Sequence, residues 1–117
     1  MKLSINHVDD ICYFTLVGDI DSLSAGLIKE KIQSQIESQC YKIVIDLTQV
    51  KFMDSAGLGV LVSGLKVCNK NGGDLVLVGL SENVRELFRI TRLDTVFKLF
   101  PDRVSATEAF NFHISSD

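Results

Sequence analysis

The sequence predicts a single α/β domain: a mixed, mostly parallel sheet of about four to five strands, an N-terminal hairpin at its edge, and about four helices around it. Three observations carry that expectation. The apolar spacing changes from a period of two to a period of roughly 3.6 near residue 23. Two later runs, "YKIVIDL" and "DLVLVGL", are apolar at nearly consecutive positions, as strands covered on both faces are. The periodic segments then alternate in the order β-β-α-β-α-β-α-β-α, with short connections and no linker, repeat or low-complexity segment.

Each element has a local reason. "MKLSINHVDD" alternates polar and apolar and leads into "ICYFTLVGDI", rich in β-branched and aromatic types, which predicts an antiparallel hairpin with "HVDD" as its turn. In "SAGLIKEKIQSQIES", Leu27, Ile28, Ile32 and Ile36 recur at helical spacing with charges opposite, so a first helix covers about residues 23–38. "YKIVIDL" follows as a central strand. After Ser55 the positions Leu58, Leu61, Val62, Leu65 and Cys68 mark a second amphipathic helix, ended by "NGG" as a glycine cap. "DLVLVGL" is the next buried strand, Ser81 caps a short helix carrying Val84, Leu87 and Phe88, and "TVFKLF" is a last strand before Pro101. Ser105 and Glu108 have the spacing of a capping box for a closing helix with Ala109 and Phe110. One domain spans residues 1–117, with 113–117 a frayed tail.

Composition narrows the function. A chain of 117 residues, 46% hydrophobic and 23% charged, is long enough for one compact core. With 12 Lys and Arg scattered along it and a net charge of -3, it has no cationic patch for nucleic acid. No apolar run approaches the roughly 20 residues that span a bilayer, and acids interrupt the start before a signal-peptide core can form. The expectation is a cytoplasmic protein without a membrane partner. Cys12, Cys40 and Cys68, odd in number and set in apolar patterns, read as reduced core thiols rather than a disulfide framework or a zinc site.

The unusual stretch is "KFMDSAGLGVL", residues 51–61, where an apolar segment ends in an acid and a hydroxyl and enters a helix through two glycines. In open α/β sheets functional groups gather where strands end and helices begin. Asp54 or Ser55 can cap the helix that follows, because its first N–H groups lack intrahelical partners. Capping leaves Gly57 and Gly59 unexplained, since each glycine in a helix costs about 0.5–1 kcal/mol relative to alanine. Bare main chain at two positions suits the close approach of a partner, as well as helix-on-sheet packing.

Enzyme motifs fail on spacing. Met53 stands where a nucleophile elbow needs glycine before Ser55, Val62 stands where a dinucleotide loop needs a third glycine, and no Gly-Lys-Ser/Thr is present. His7 lies on an edge strand and His113 near the chain end, so neither is placed as a base for Ser55. Asp46 and Asp54, without further acids to form a metal cluster, read as a strand-end cap and a helix cap. No cofactor or metal is expected.

"IVIDLTQVKFMDSAGLGVL" resembles the signature of the STAS domain of bacterial anti-sigma-factor antagonists, the partner-switching proteins of stress-response and sporulation pathways. "VGDIDSLSAGLIKEKI" is similar to that family's Gly-x-x-Asp loop and first helix, "GGDLVLVGLSENVRELFRITRLDTVFKLF" to the segment after its second helix, and "SATEAF" to its closing helix. The resemblance implies that Ser55 is phosphorylated by an anti-sigma factor that is also an ATP-dependent serine kinase, and dephosphorylated by a PP2C-type phosphatase. It implies that the unmodified protein, itself no enzyme, binds that kinase and frees its client, usually a sigma factor. Arg92 stands where many relatives carry glycine, and Ser22–Ser24 replaces a loop that varies among them.

From the residues and the resemblance together, the docking surface is expected to combine Gly18, Asp19, Asp21, Asp54, Ser55, Ala56, Gly57 and Gly59, with the two helical glycines admitting the partner's backbone. The free chain is expected to be a monomer. Two other readings remain at this point: a non-switching STAS scaffold or transport-complex subunit, in which Ser55 only caps a helix, and a small enzyme using the same crevice.

Overall fold

The computed structural model describes residues 1–111. In chain order it contains β1 (Lys2–Val8), β2 (Ile11–Val17), α1 (Ser22–Glu37), β3 (Lys42–Gln49), α2 (Ser55–Lys70), β4 (Asp74–Val78), α3 (Glu82–Ile90), a 3₁₀ turn (Leu93–Thr95), β5 (Leu99–Phe100) and α4 (Arg103–Ala109). The single sheet has the order β1-β2-β3-β4-β5, antiparallel between the first two strands and parallel thereafter. The predicted fold class, edge hairpin and element order all hold. The expected frayed tail, 113–117, lies outside the described residues.

Strand alternation divides the core in two. Cys12, Phe14, Leu16, Ile43, Ile45, Leu47, Leu75 and Leu77 point to one face, where they meet Ile28 and Ile32 of α1, Leu58, Leu61, Leu65 and Cys68 of α2, and Val84 and Phe88 of α3. Ile11, Tyr13, Val44, Val76 and Val78 point the other way, onto Ala106 and Phe110 at the closing helix. Coverage of both faces is why "KIVID" and "DLVLV" are apolar at nearly every position.

Several details depart from the sequence reading. The hairpin turn is only Asp9–Asp10, since His7 and Val8 pair with Cys12 and Ile11. Leu27, assigned inward, is 38% exposed, and Ala25 is buried instead. The last strand is two residues long rather than "TVFKLF". Thr95 closes the 3₁₀ turn and Val96 is helical, which drives Phe97 into the core against Phe88, ring centroids 5.6 Å apart. That short strand is held by Lys98, whose ammonium reaches the buried Asp74 carboxylate at 2.7 Å. α4 is capped by Asp102, which accepts from the Ser105 amide at 2.9 Å, so Ser105 lies in the first turn rather than at the cap. Cys12 and Cys68 are fully buried, but Cys40 is half-buried, its sulfur against the carbonyls of Asp10 and Lys42. Arg92 takes a left-handed conformation at φ 62°, the geometry that makes glycine favourable at such a position.

Candidate functional site

The site is assembled at the carboxyl edge of β2 and β3. After β2 the chain turns through Gly18, whose φ of 106° is open to glycine and strained for other residues, and whose N–H donates to the Gln49 carbonyl at 3.0 Å. Two residues on, the Ile20 N–H donates to the Phe52 carbonyl and the Asp54 N–H donates to the Ile20 carbonyl, each at 3.0 Å. Ile20 and Met53 thus form a single parallel bridge beyond the regular sheet. The Gly18–Asp21 loop and the Lys51–Asp54 loop are stitched side by side, and α1 and α2 both start from this seam.

Each helix start is capped by an aspartate. Asp21 accepts from the Ser24 amide at 2.9 Å, and Asp54 accepts from the Gly57 amide at 3.1 Å. The Ser24 amide, then its hydroxyl, hold the Asp21 carboxyl below its ordinary range. Ser55 is therefore the first residue inside α2, not its cap. It is exposed, and its hydroxyl makes no hydrogen bond among the described residues. Asp19 is likewise exposed at the loop, and Ala56 is half-buried.

The two glycines of the stretch differ. Gly57 is buried, and a Cβ there would lie 2.8 Å from both Ile20 Cγ2 and Met53 Cγ, so its bareness lets α2 seat on the seam. Gly59 is exposed, with no atom within 4 Å of a would-be Cβ, and nothing inside the fold requires it.

Other sequence candidates lie elsewhere. His7 pairs with Cys12 at the opposite end of β2 and hydrogen-bonds Gln35 at 2.6 Å, while His113 is outside the described residues. Asp46 sits within β3. It accepts from the Thr48 amide and hydroxyl at 2.9 and 2.5 Å and from Arg103 Nε at 3.0 Å, and Arg103 also reaches Thr15. Burial raises the Asp46 carboxyl, but Thr48 and Arg103 outweigh it and leave it below its ordinary value. This is a clamp that holds α4 to the sheet. Among the described residues no group of three or more His, Cys, Asp or Glu could hold a metal ion, and no helix is long and apolar enough to cross a membrane.

Sequence reasoning missed two neighbours of the site. Leu23, in the first turn of α1, is 87% exposed and Phe52 is 56% exposed. Phe52 stands between Val50 and Met53, both buried, and nothing in its local pattern marks it as the apolar residue of the three that turns to solvent.

A five-stranded α/β sheet with an antiparallel edge hairpin, presenting a free serine hydroxyl on a pinned strand-to-helix turn, defines the class, and comparison with known proteins agrees. The STAS domain family matches residues 2–106. The anti-sigma-B factor antagonist of Bacillus subtilis is 40% identical over 99 residues, 85% of this chain and 90% of that protein. A crystal structure from Thermotoga maritima superposes with a TM-score of 0.89 at 27% identity, covering 93% of this chain and 94% of that one. The Bacillus cell fate determinant SpoIIAA in its phosphorylated form has the same fold, with a TM-score of 0.75 at 20% identity over 92% of this chain and 97% of that one. The chain belongs to the STAS domain family of anti-sigma factor antagonists.

Proposed function

We propose that this chain is a partner-switching anti-sigma factor antagonist controlled by phosphorylation of Ser55. Unmodified, it binds a cognate anti-sigma factor that is also a serine kinase, and so releases that kinase's client; a PP2C-type phosphatase restores the unmodified state. The observation that carries this reading is the free Ser55 hydroxyl. Asp54 already caps α2, so the serine is not needed to start the helix and stands exposed on a turn fixed from below by the Ile20–Met53 bridge. A serine retained only as a helix cap, as a non-switching scaffold would use it, would hydrogen-bond the first turn.

The docking surface in this reading comprises Gly18, Asp19, Asp21, Asp54, Ser55, Ala56 and Gly59, with Gly57 supporting it from beneath. Phosphorylation adds about -1.5 to -2 charges and three acceptor oxygens. The amino end of α2 tolerates that anion, so the fold persists. The interface does not, because a dianion beside Asp54 would be desolvated against a surface complementary to a neutral hydroxyl. An unpaired buried charge costs about 3 to 5 kcal/mol, roughly two to three and a half decades of affinity.

The test is a pull-down with Ser55→Ala and Ser55→Asp as baits, followed by titration of the retained protein. Ser55→Ala is expected to bind and resist modification, and Ser55→Asp to keep its melting curve while losing binding. Equal binding by the two variants rejects the switch.

A further inference from the structure

We propose that Leu23 and Phe52 are the apolar anchors that seat this chain in its partner, in an apolar pocket rimmed by Lys or Arg side chains; the proposal rests on the partner-switching reading above and names the chemistry of its partner. Both side chains are large, apolar and turned to solvent, at 87% and 56% exposure. Neither is loose at its base. The Phe52 carbonyl accepts from Ile20, its neighbour Met53 is buried in the seam, and Asp54 returns a hydrogen bond to Ile20. Leu23 follows Asp21, whose carboxylate fixes the first turn of α1 through the Ser24 amide.

The fold itself has no use for these side chains. An exposed leucine in the first turn of α1 caps nothing, and that turn carries no acid to meet the helix dipole, where an acidic residue would have served stability better. Phe52 lies three positions before Ser55 and Leu23 three positions after Ile20, and the main-chain bonds from Ile20 to Phe52 and Asp54 bring these two stretches of chain side by side. A large side chain on a fixed backbone loses little freedom on association, and such residues, aromatic ones above all, carry most of the binding energy of an interface.

Charge names the rim. Asp19, Asp21 and Asp54 are exposed around the two anchors, against Lys51 as the cation of the same loop. Lys or Arg side chains on the partner facing Asp19 and Asp21 complement those acids and steer the encounter, away from the neutral surface that meets Ser55.

The probe is the anti-sigma factor kinase that the Ser55→Ala chain retains, purified and titrated by calorimetry against the full chain and against Leu23→Ser, Phe52→Ala, Val104→Ser and Ser55→Asp. Val104 is 69% exposed on α4 and serves as the control for loss of a surface apolar group. Leu23→Ser and Phe52→Ala are each expected to weaken binding by about tenfold or more with unchanged thermal unfolding, and Val104→Ser by less than about twofold. An anchor variant that binds within about twofold of the wild-type chain, while Ser55→Asp has lost binding, overturns the assignment for that residue and leaves the switch standing. If Ser55→Asp binds like wild type, or no kinase is retained by Ser55→Ala, the switch fails and the anchors fail with it.

Discussion

Replacing each glycine of the α2 entrance by alanine separates its role in folding from its role in docking. At Gly57 the new Cβ would lie 2.8 Å from Ile20 Cγ2 and Met53 Cγ, 0.6 Å inside the 3.4 Å at which ordinary contact begins (3.4 - 2.8). Both obstructing atoms are side-chain atoms of the two bridged residues, Ile20 and Met53, which are buried beneath α2 and have little room to turn away. Overpacking of this kind costs about 1–3 kcal/mol, offset by the roughly 0.5–1 kcal/mol that alanine contributes to a helix, for a net loss of about 0.5–2 kcal/mol. At Gly59 a Cβ meets nothing within 4 Å, so only the helical gain remains and Gly59→Ala is expected to stabilise the chain by about 0.5–1 kcal/mol. Urea unfolding followed by circular dichroism reads both, as shifts of midpoint in opposite directions at constant slope. In the proposed complex the methyl at position 59 projects into the interface, so the more stable variant is the one expected to bind its kinase less tightly. Stabilisation by Gly57→Ala, or destabilisation by Gly59→Ala, would refute the division of labour between them.

Two further predictions concern groups away from the seam. Asp46→Asn should cost roughly 1–2 kcal/mol at neutral pH by weakening the bonds to Thr48 and Arg103; because the folded carboxyl titrates below its ordinary value of 3.8, its contribution is fully present above that value and fades as pH falls through the lower folded one, so wild-type and variant unfolding curves recorded across acid pH should converge only below 3.8. Burial, helped by the neighbouring Cys40, pushes the Cys12 thiol up to about 12, and burial with Asp74 nearby does the same to Cys68, so a native thiol-reagent titration should modify Cys40 alone and unfolding should release the other two; native modification of Cys12 or Cys68 at the rate of Cys40 would contradict the packing.

Much of this was legible in the sequence because local pattern and tertiary environment agree. Consecutive apolar residues in β3 and β4 announced a sheet covered on both faces, and Ser81 announced α3, which it caps through the Val84 amide. Where the decision was tertiary, the sequence was silent. "TVFKLF" has strand composition throughout, yet the pocket beside Phe88 pulls Phe97 inward through a helical turn and leaves two residues to pair. Asp102 and Ser105 are both good caps, and only the path of the chain after Pro101 chooses between them. Gly57 and Gly59 are the same letter two positions apart; what separates them is that Ile20, thirty-seven positions upstream of Gly57, comes to lie under one and not the other (57 - 20 = 37).

The placement of Asp54 before Ser55 also bears on why a switch could be built here at little cost to the fold. Were the serine itself the cap, phosphorylation would alter the bond that starts α2, and the modified chain would differ in stability as well as in charge. With the cap taken by Asp54, the hydroxyl of Ser55 is surplus to the helix, and its neighbours are held by main-chain bonds between Ile20, Phe52 and Asp54 that involve no side chain of the site. A modification can then change what the surface presents without changing how it is supported. In the proposed switch, that separation requires phosphorylated and unmodified chains to unfold at nearly the same denaturant concentration while differing by decades in affinity for the proposed kinase. A phosphoprotein that lost affinity only because α2 had frayed would show the loss in its amide exchange at Gly57 and Leu58, and would move the mechanism from the interface to the helix.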